Sequence, residues 1–308
     1  MTVRVAEEWF AICGGCEVTI LDIGEPLLDL LPKLQFVHMP VLMDHKIFGQ
    51  RGEKEKMEIP EAEVGIISGG IRNEENRELA KEMREKCKTL IALGSCACFG
   101  GIPALANQFT VDELYEKVYR GSKTTDSAPN PTDEVPPLTD RVYALDEVVD
   151  VDLYIPGCPT APDIVAEAIT SLLQGKAFEL PERSVCDDCP VKREEKADIS
   201  LKRPLEPIIP MDAKLEESRC FMEIGYLCLG PVTRTGCGGS EKTPRCVKGR
   251  MTCRGCFGPI RKDANQLVDM MGALTSIGLD PRVIPDRAAT FQRYVGGHGR
   301  LRPLPKRP

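Results

Sequence analysis

The residues with the clearest chemical potential in this chain are its cysteines. Fourteen cysteines occur among 308 residues, and six of them form three Cys-x-x-Cys pairs. The pairs are Cys13/Cys16, Cys186/Cys189 and Cys253/Cys256. Each pair can bring two thiolates to one metal centre, and twelve of the cysteines divide into three sets of four. Because four thiolates are the ligand set of a [4Fe-4S] cluster, the pattern predicts three such clusters and a path for electrons.

Composition favours metal binding over other uses of cysteine. The start of the chain does not resemble a secretion signal, and no stretch reaches about 18 uninterrupted apolar residues. We therefore expect a cytoplasmic chain with no membrane span, in which thiols stay reduced and bind metal rather than form disulfides. A net charge of -7, no basic run and 5% aromatic residues argue against nucleic-acid binding. With only three histidines, the ligands must be mainly sulfur, as in all-thiolate zinc or iron-sulfur sites.

The first part of the chain, residues 1–176, alternates short apolar runs with helical patterns. We expect strands that end near Ile12, Met39, Gly70, Gly94 and Gly157. The predicted helices are residues 17–31 with a break at Gly24 and Pro26, 73–86, 110–119 and 162–173. This alternation predicts an α/β domain, a flavodoxin-like parallel sheet covered on both faces. The proline-rich residues 127–140 are expected to form a surface loop.

The second part, residues 177–308, has a different character. Residues 177–258 contain eight cysteines and many prolines without a clear hydrophobic period. We therefore predict an irregular cluster-binding domain with few regular elements, in which metal clusters replace part of a conventional core. One helix is expected at residues 260–277, followed by an extended tail.

Four cysteines of the first domain lie just beyond predicted strand ends. This first set consists of Cys13, Cys16, Cys96 and Cys158. Since the carboxyl ends of parallel strands face one crevice, where open α/β sheets bind ligands, we expect the first set to form one site. Nearby glycines allow the backbone to approach a cluster closely.

Eight further cysteines follow residue 176 and could fill two more four-thiolate sites. They are Cys186, Cys189, Cys220, Cys228, Cys237, Cys246, Cys253 and Cys256. Spacing alone does not decide which four belong together. Two structural zinc sites are an alternative, which would make the chain a zinc-stabilised interaction module. A visible spectrum separates the two hypotheses, because iron-sulfur clusters absorb broadly and zinc does not.

Several motifs resemble those of a known family, the small, electron-transferring subunit of nickel-iron hydrogenases. Its proximal-cluster signature is similar to Cys13-Gly14-Gly15-Cys16, to Gly94-Ser95-Cys96 with Gly100-Gly101, and to Ile155-Pro156-Gly157-Cys158-Pro159. Residues 228–237 and 253–257 resemble its distal and medial signatures. The resemblance covers essentially the whole chain and is closest to the viologen-reducing, F420-non-reducing enzymes of methanogens.

The resemblance implies a grouping of the cysteines, in which the first set holds the proximal cluster. A second set, Cys186, Cys189, Cys220 and Cys228, would hold the distal cluster. A third set, Cys237, Cys246, Cys253 and Cys256, would hold the medial cluster. Many family members have proline in place of Cys246 and a [3Fe-4S] medial cluster, so the extra thiolate here implies [4Fe-4S]. Cys87 and Cys98 are left over and are not expected to be ligands.

The resemblance also implies a function and partners. The chain would be a non-catalytic subunit, without catalytic residues, that passes electrons from H2 oxidation in a nickel-iron large subunit through three [4Fe-4S] clusters. In that family a [2Fe-2S] linker subunit leads on to a heterodisulfide reductase. The small subunit of the deazaflavin (F420)-reducing hydrogenase is an alternative, because it differs mainly in its partner.

Overall fold

A computed structural model describes residues 2–124, 126–195, 201–202 and 205–303. The chain divides into two compact units. The first unit comprises residues up to Lys176 together with the segment that starts at Tyr294, and the second unit is Ala177–Arg293. The segment from Tyr294 onward therefore belongs to the first unit, although the sequence pattern places it in the second domain.

The first unit is built on a parallel sheet. Its strands are β1 (Val3–Trp9), β2 (Leu34–His38), β3 (Ala62–Ser68), β5 (Cys87–Leu93) and β7 (Leu153–Ile155). They lie in the order β2-β1-β3-β5-β7, and every neighbouring pair is parallel. This is the flavodoxin order, so the predicted fold class is confirmed.

Two short strands form a separate antiparallel pair. They are β4 (Ile71–Asn73) and β6 (Leu138–Tyr143). The last three residues of the predicted 127–140 loop therefore belong to β6. The Arg72 carbonyl accepts a hydrogen bond of 2.8 Å from the Thr139 hydroxyl, which ties the two strands together.

The helices of the first unit follow the predicted pattern with one addition. They are α1 (Gly15–Leu21), α2 (Glu25–Leu30), α3 (Glu74–Lys86), α4 (Gly94–Phe99), α5 (Val111–Tyr115) and α6 (Pro162–Leu173). The predicted break separates α1 from α2, because Gly24 adopts a φ of 72° before α2. The additional helix, α4, has only six residues, too few to show an amphipathic period.

Burial in the core of the first unit explains why the sequences of its strands are continuous apolar runs. Ile67, Leu90, Ile91 and Ala92 are almost completely buried, because the sheet is covered on both faces. The inner strand β1 departs from this composition, since it carries two consecutive acidic residues that are also buried.

The described part of the second unit contains three α-helices joined by irregular chain with several 3-10 turns. They are α7 (Arg245–Lys248), α8 (Gln266–Ser276) and α9 (Arg287–Phe291). The predicted 260–277 helix begins only at Gln266, because the Asn265 side chain accepts a 3.1 Å hydrogen bond from the Leu267 amide and caps the helix there. Phe221, Met270 and Phe291 belong to a compact buried cluster of this unit. Across the described residues, no helix is both long and apolar enough to cross a membrane.

Candidate metal centres

The first set lies at the carboxyl ends of three strands of the parallel sheet. Cys13 follows β1, Cys16 lies in α1, Cys96 lies in α4 directly after β5, and Cys158 follows β7. Cys16 and Cys96 are buried, whereas Cys13 and Cys158 are exposed. The set therefore has a protected side and an accessible side.

The four thiols of the first set are close enough to affect one another's ionisation. Burial, followed by the charges of Glu17 and of the other three cysteines, raises the pKa of Cys16. Burial raises the pKa of Cys96 to about 12, and Cys158 and Cys13 also contribute. The structure thus brings these four cysteines together. Iron ions bound among them would supply the positive charge that favours the thiolate forms.

Glycines make room for the sulfur atoms of the first set. Gly94 has a φ of +79°, and a Cβ atom there would lie 2.3 Å from the Cys16 Sγ. Gly101 has a φ of +52°, and its Cβ atom would lie 2.6 Å from the Cys96 Sγ. Side chains are excluded at both positions by conformation and by space.

The loops that carry Cys96 and Cys158 are also tied to each other. The Ser95 amide donates to the Gly157 carbonyl at 2.8 Å, and the Gly157 amide donates to the Ser95 Oγ at 3.2 Å. These reciprocal bonds, between residues 62 positions apart in sequence, fix the separation of the two loops and of the predicted ligands that they carry.

The segment after Tyr294 closes over the Cys96 loop, a contact that sequence reasoning missed. The Gly297 amide donates to the Phe99 carbonyl at 2.8 Å, and Val295 forms a parallel bridge with Gly101. The glycines at 296 and 297 permit this approach, because a Cβ on Gly297 would lie 2.8 Å from the Phe99 carbonyl oxygen. The Gly-Gly-His-Gly run at 296–299 was the available sequence signal.

His298 fastens this closing segment to the first unit. Its Nε2 donates to the Asp146 Oδ1 at 2.6 Å, and its backbone amide donates to the Glu147 Oε2 at 2.8 Å. The hydrogen bond to Asp146 and the charges of Asp146 and Glu147 raise the pKa of His298, against the opposing effect of burial. Protonated His298 therefore holds the segment more firmly than neutral His298.

We expect the protection of residues 294–303 from hydrogen exchange, corrected for intrinsic rates, to fall as the pH rises through the raised pKa of His298. The stabilisation is fully present below the ordinary histidine pKa of about 6.5 and is lost above the folded-state value. His298→Asn is the matched variant, because asparagine tolerates the positive φ of 53° at this position but carries no titrating charge. A similar pH-dependent loss of protection in this variant would show that His298 is not the group responsible.

The second set lies in irregular segments of the second unit. Burial raises the pKa of Cys186 to about 12, and Cys189 and Cys220 are among the nearby contributors. Burial also raises the pKa of Cys228, with Cys186 and Cys220 contributing. A cavity of about 300 Å³ is lined by Cys186 and Cys220, together with Met222, Pro231 and Ile277 among others. The cavity provides space beside two predicted ligands.

Two members of the third set, Cys246 and Cys256, lie near Cys253. Burial raises the pKa of Cys253 well above its ordinary value, and Cys228, Cys246 and Cys256 also contribute. Burial likewise raises the pKa of Cys237, with Cys246 contributing. Cys246 is the second residue of α7, so this short helix presents one thiol of the third set.

One hydrogen bond links the second and third sets directly. The Cys253 amide donates to the Cys228 Sγ at 3.3 Å, and the Leu229 amide donates to the Cys253 carbonyl at 2.9 Å. The two sets are therefore neighbours in one hydrogen-bonded segment of the second unit.

The two remaining cysteines are packed into the core of the first unit. Cys98 is completely buried, and its S–H group donates to the Ala92 carbonyl at 3.3 Å. Cys87 lies in β5, where burial raises its pKa to about 11. Both behave as small core residues in this arrangement.

The cysteines of the three sets are not arranged as sites for single ions. Among the described residues, no group of three or more His, Cys, Asp or Glu side chains is placed to hold one metal ion. A [4Fe-4S] cluster distributes its four thiolates over four irons, so its ligands need not converge on one point. The three sets fit that requirement in number, and the assignment of the twelve ligands stays a prediction.

Sequence comparison connects these sets with known proteins. The profile of a family described as NADH ubiquinone oxidoreductase, 20 Kd subunit, matches residues 13–172. A subunit of the F420-non-reducing hydrogenase vhu of Methanococcus voltae is 39% identical over 285 residues, which cover 92% of this chain and 91% of the relative. The corresponding vhu subunit of Methanocaldococcus jannaschii is 37% identical over 296 residues, covering 96% and 95% of the two chains. This chain belongs to the family of hydrogenase small subunits that includes these two proteins.

One solved structure agrees with membership in the hydrogenase small-subunit family. A chain in the crystal structure of NAD+-reducing [NiFe]-hydrogenase in the H2-reduced state is 31% identical, with a TM-score of 0.53. The match covers 59% of this chain and 96% of that chain. As a hydrogenase small subunit, the chain is part of an oxidoreductase complex, and iron-sulfur clusters are the cofactors that its family implies. The profile match ends at residue 172, before the second and third sets, whereas the similarity to the vhu subunits covers nearly the whole chain.

Proposed function

We propose that this chain conducts electrons between the H2-oxidising large subunit of a nickel-iron hydrogenase and the acceptor side of the complex. The observation that carries the proposal is the association of the four cysteines of the first set at the carboxyl ends of three parallel strands, and the later cysteines also lie near one another, with Cys228 close to members of both later sets. When bound, three [4Fe-4S] clusters would supply one-electron redox chemistry.

Each part of the chain has a defined task in this proposal. The first, second and third sets would hold the proximal, distal and medial clusters through four thiolates each. Gly94 and Gly101 leave the space that the sulfur atoms of the first set occupy. Burial of Cys228 and Cys253 excludes water from the inner sides of the second and third sets.

The proposed partner of the first set is the nickel-iron large subunit. Trp9, at the end of β1, is 42% exposed, and Ile102, next to Gly101, is 40% exposed. Both lie beside segments that carry ligands of the first set, where an apolar interface with another chain would cover them.

The proposed acceptor side follows the F420-non-reducing relatives. We infer a [2Fe-2S] linker subunit and then a heterodisulfide reductase, with the whole assembly in the cytoplasm. The similarity to the vhu subunits over nearly the entire chain supports this choice over the F420-reducing alternative. Identifying the subunits that co-purify anaerobically with this chain tests the choice, and co-purification with an F420-binding subunit would reverse it.

Anaerobically purified chain is expected to contain about twelve irons and about twelve acid-labile sulfides, because each of three clusters contributes four of each. Iron, sulfide and zinc should be measured on the same sample, together with the visible spectrum. About four irons with stoichiometric zinc would instead mean that only the first set holds a cluster and that the second unit is a zinc-stabilised module.

A further inference from the structure

The inner strand β1, between β2 and β3, carries two consecutive buried acids, Glu7 and Glu8. Their exposed fractions are 0% and 5%, and both lie within a sheet that is otherwise largely apolar. An ionised carboxylate in such a place is strongly destabilising unless it is paired and hydrogen-bonded. Neither residue belongs to a cysteine set, so each needs its own explanation.

Glu8 has its partners. The His38 Nε2 lies 2.8 Å from the Glu8 Oε2, and the Trp9 amide donates to the Glu8 Oε1 at 3.1 Å. Both carboxyl oxygens therefore have hydrogen-bond partners, and the buried contact with His38 accounts for this acid.

Glu7 has no such partners. As the neighbour of Glu8 in a strand, it points to the opposite face of the sheet. Neither of its buried carboxyl oxygens has a hydrogen-bond partner among the described residues. A fully buried carboxyl group without donors around it is stable only in its protonated form.

The neighbour of Glu7 on this face is Glu17 of α1. The Ser68 hydroxyl donates to the Glu17 Oε1, but the buried Glu17 Oε2 has no hydrogen-bond partner among the residues that the structure describes. The two adjacent carboxyl groups of Glu7 and Glu17 therefore both have buried acceptor oxygens for which the described residues provide no hydrogen-bond donor. A single proton on Glu7 supplies that donor and removes the repulsion between two negative charges.

The electrostatic surroundings of Glu7 agree with this interpretation. Burial, followed by the charges of Glu17 from α1 and Glu8 from β1, raises the pKa of Glu7 to about 9. Glu7 is therefore a neutral acid at neutral pH. Glu17 in turn immediately follows Cys16, whose ionisation responds to the Glu17 charge. The pair links the interior of the sheet electrostatically to the first set.

We propose that Glu7 is a proton-holding site whose occupancy is linked to the charge on the first set. The linkage rests on the proposed function, because it requires a redox centre at that set. At alkaline pH, where Glu7 is partly ionised, the negative charge of one electron that reaches the first set from H2 oxidation favours binding of one proton from solvent to the Glu7 carboxylate. When the electron leaves, the O–H bond of Glu7 breaks more readily and the proton returns to solvent.

The linkage has a predictable sign. Reduction raises the proton affinity of Glu7, so reduced protein binds more protons than oxidised protein at alkaline pH. The equilibrium constant for reducing the first set should therefore fall as the pH approaches and passes about 9, by up to about tenfold per pH unit. Near neutral pH, Glu7 is protonated in both redox states. Glu7 should therefore cause no change of the reduction constant with pH in this range.

The experiment uses the assembled complex and compares the natural protein with Glu7→Gln and Glu8→Gln. Redox titrations monitored by electron paramagnetic resonance give the reduction constant of the first set at each pH. Infrared difference spectra between neutral and alkaline pH detect the C=O stretch of a protonated carboxylic acid. We expect Glu7→Gln to abolish both the fall of the reduction constant at alkaline pH and this infrared band. We expect Glu8→Gln to keep both but to shift them to lower pH, because the Glu8 charge contributes to the raised pKa of Glu7.

The infrared measurement tests this proposal independently of the proposed function on which it rests. A carboxylic acid band at neutral pH that Glu7→Gln removes supports the proton-holding site even if the complex contained no cluster at the first set. Absence of the band in the natural protein, or its persistence in Glu7→Gln, overturns the proposal. The proposal is also overturned if the reduction constant of Glu7→Gln still falls at alkaline pH. If the glutamine variant does not fold, Glu7→Leu provides a second variant without a polar group.

Discussion

Replacing Gly94 with alanine is expected to remove the cluster of the first set and to leave those of the second and third sets in place. The new Cβ atom would lie 2.3 Å from the Cys16 Sγ, which is far inside van der Waals contact. Cys16 lies in α1 and is buried, so it has little freedom to retreat. Iron content should fall from about twelve to about eight per chain, with loss of the proximal signal in electron paramagnetic resonance.

Gly175→Ala is the matched control for this result. Gly175 also has a positive φ, +65°, but no atom lies within 4 Å of an added Cβ. Both variants bear the backbone penalty of a left-handed residue, about 1–2 kcal/mol, and only Gly94→Ala collides with a ligand. Equal iron loss in the two variants would attribute the effect to backbone strain, and full iron content in Gly94→Ala would place Cys16 outside the cluster.

Replacing Cys246 with proline is expected to convert the medial cluster from [4Fe-4S] to [3Fe-4S]. The substitution removes one of four predicted thiolates of the third set and introduces the residue that many members of the resembled family have there. Position 246 is the second residue of α7, where an amide has no partner within the helix, so proline removes no helical hydrogen bond. Oxidised protein should show a new [3Fe-4S] signal in electron paramagnetic resonance and a loss of about one iron per chain.

Two further variants define what this change means. Cys246→Ala removes the thiolate without restricting the backbone as proline does, so it should give the same new signal. Cys87→Ala removes a buried thiol of the first unit that is not a predicted ligand and should leave the spectrum unchanged. An unaltered medial signal in both Cys246 variants would remove Cys246 from the third set and with it the proposed grouping.

The fold of the first unit could be predicted because short sequence segments show the apolar patterns of its strands and helices. Buried parallel strands such as β5 require continuous apolar runs, and α3 and α6 show the spacing of amphipathic helices. Strand ends then place Cys13, Cys96 and Cys158 at one edge by the logic of the fold. The short helix α4 carries no period and could not be predicted in this way.

Features that depend on distant partners were not accessible from the sequence. The contact between Gly297 and Phe99 joins residues that are far apart in the chain, and no apolar pattern marks it. Glu7 is buried although glutamate is usually exposed, so a hydrophobic pattern would predict an exposed side chain at this position. The grouping of the eight later cysteines is likewise open in the sequence, whereas the bond from the Cys253 amide to Cys228 joins two sets in space.

The position of the closing segment has a consequence for how the protein is made. The ribosome synthesises the segment after Tyr294 later than the rest of the first unit, yet this segment contacts the Cys96 loop. The second unit, Ala177–Arg293, is complete in the chain before the first unit can be. During translation the Cys96 loop therefore lacks the contacts of the closing segment until that segment has left the ribosomal exit tunnel. Val295 and Gly297 then complete the backbone contacts of the loop, whereas Cys13 and Cys158 are exposed even in the complete first unit.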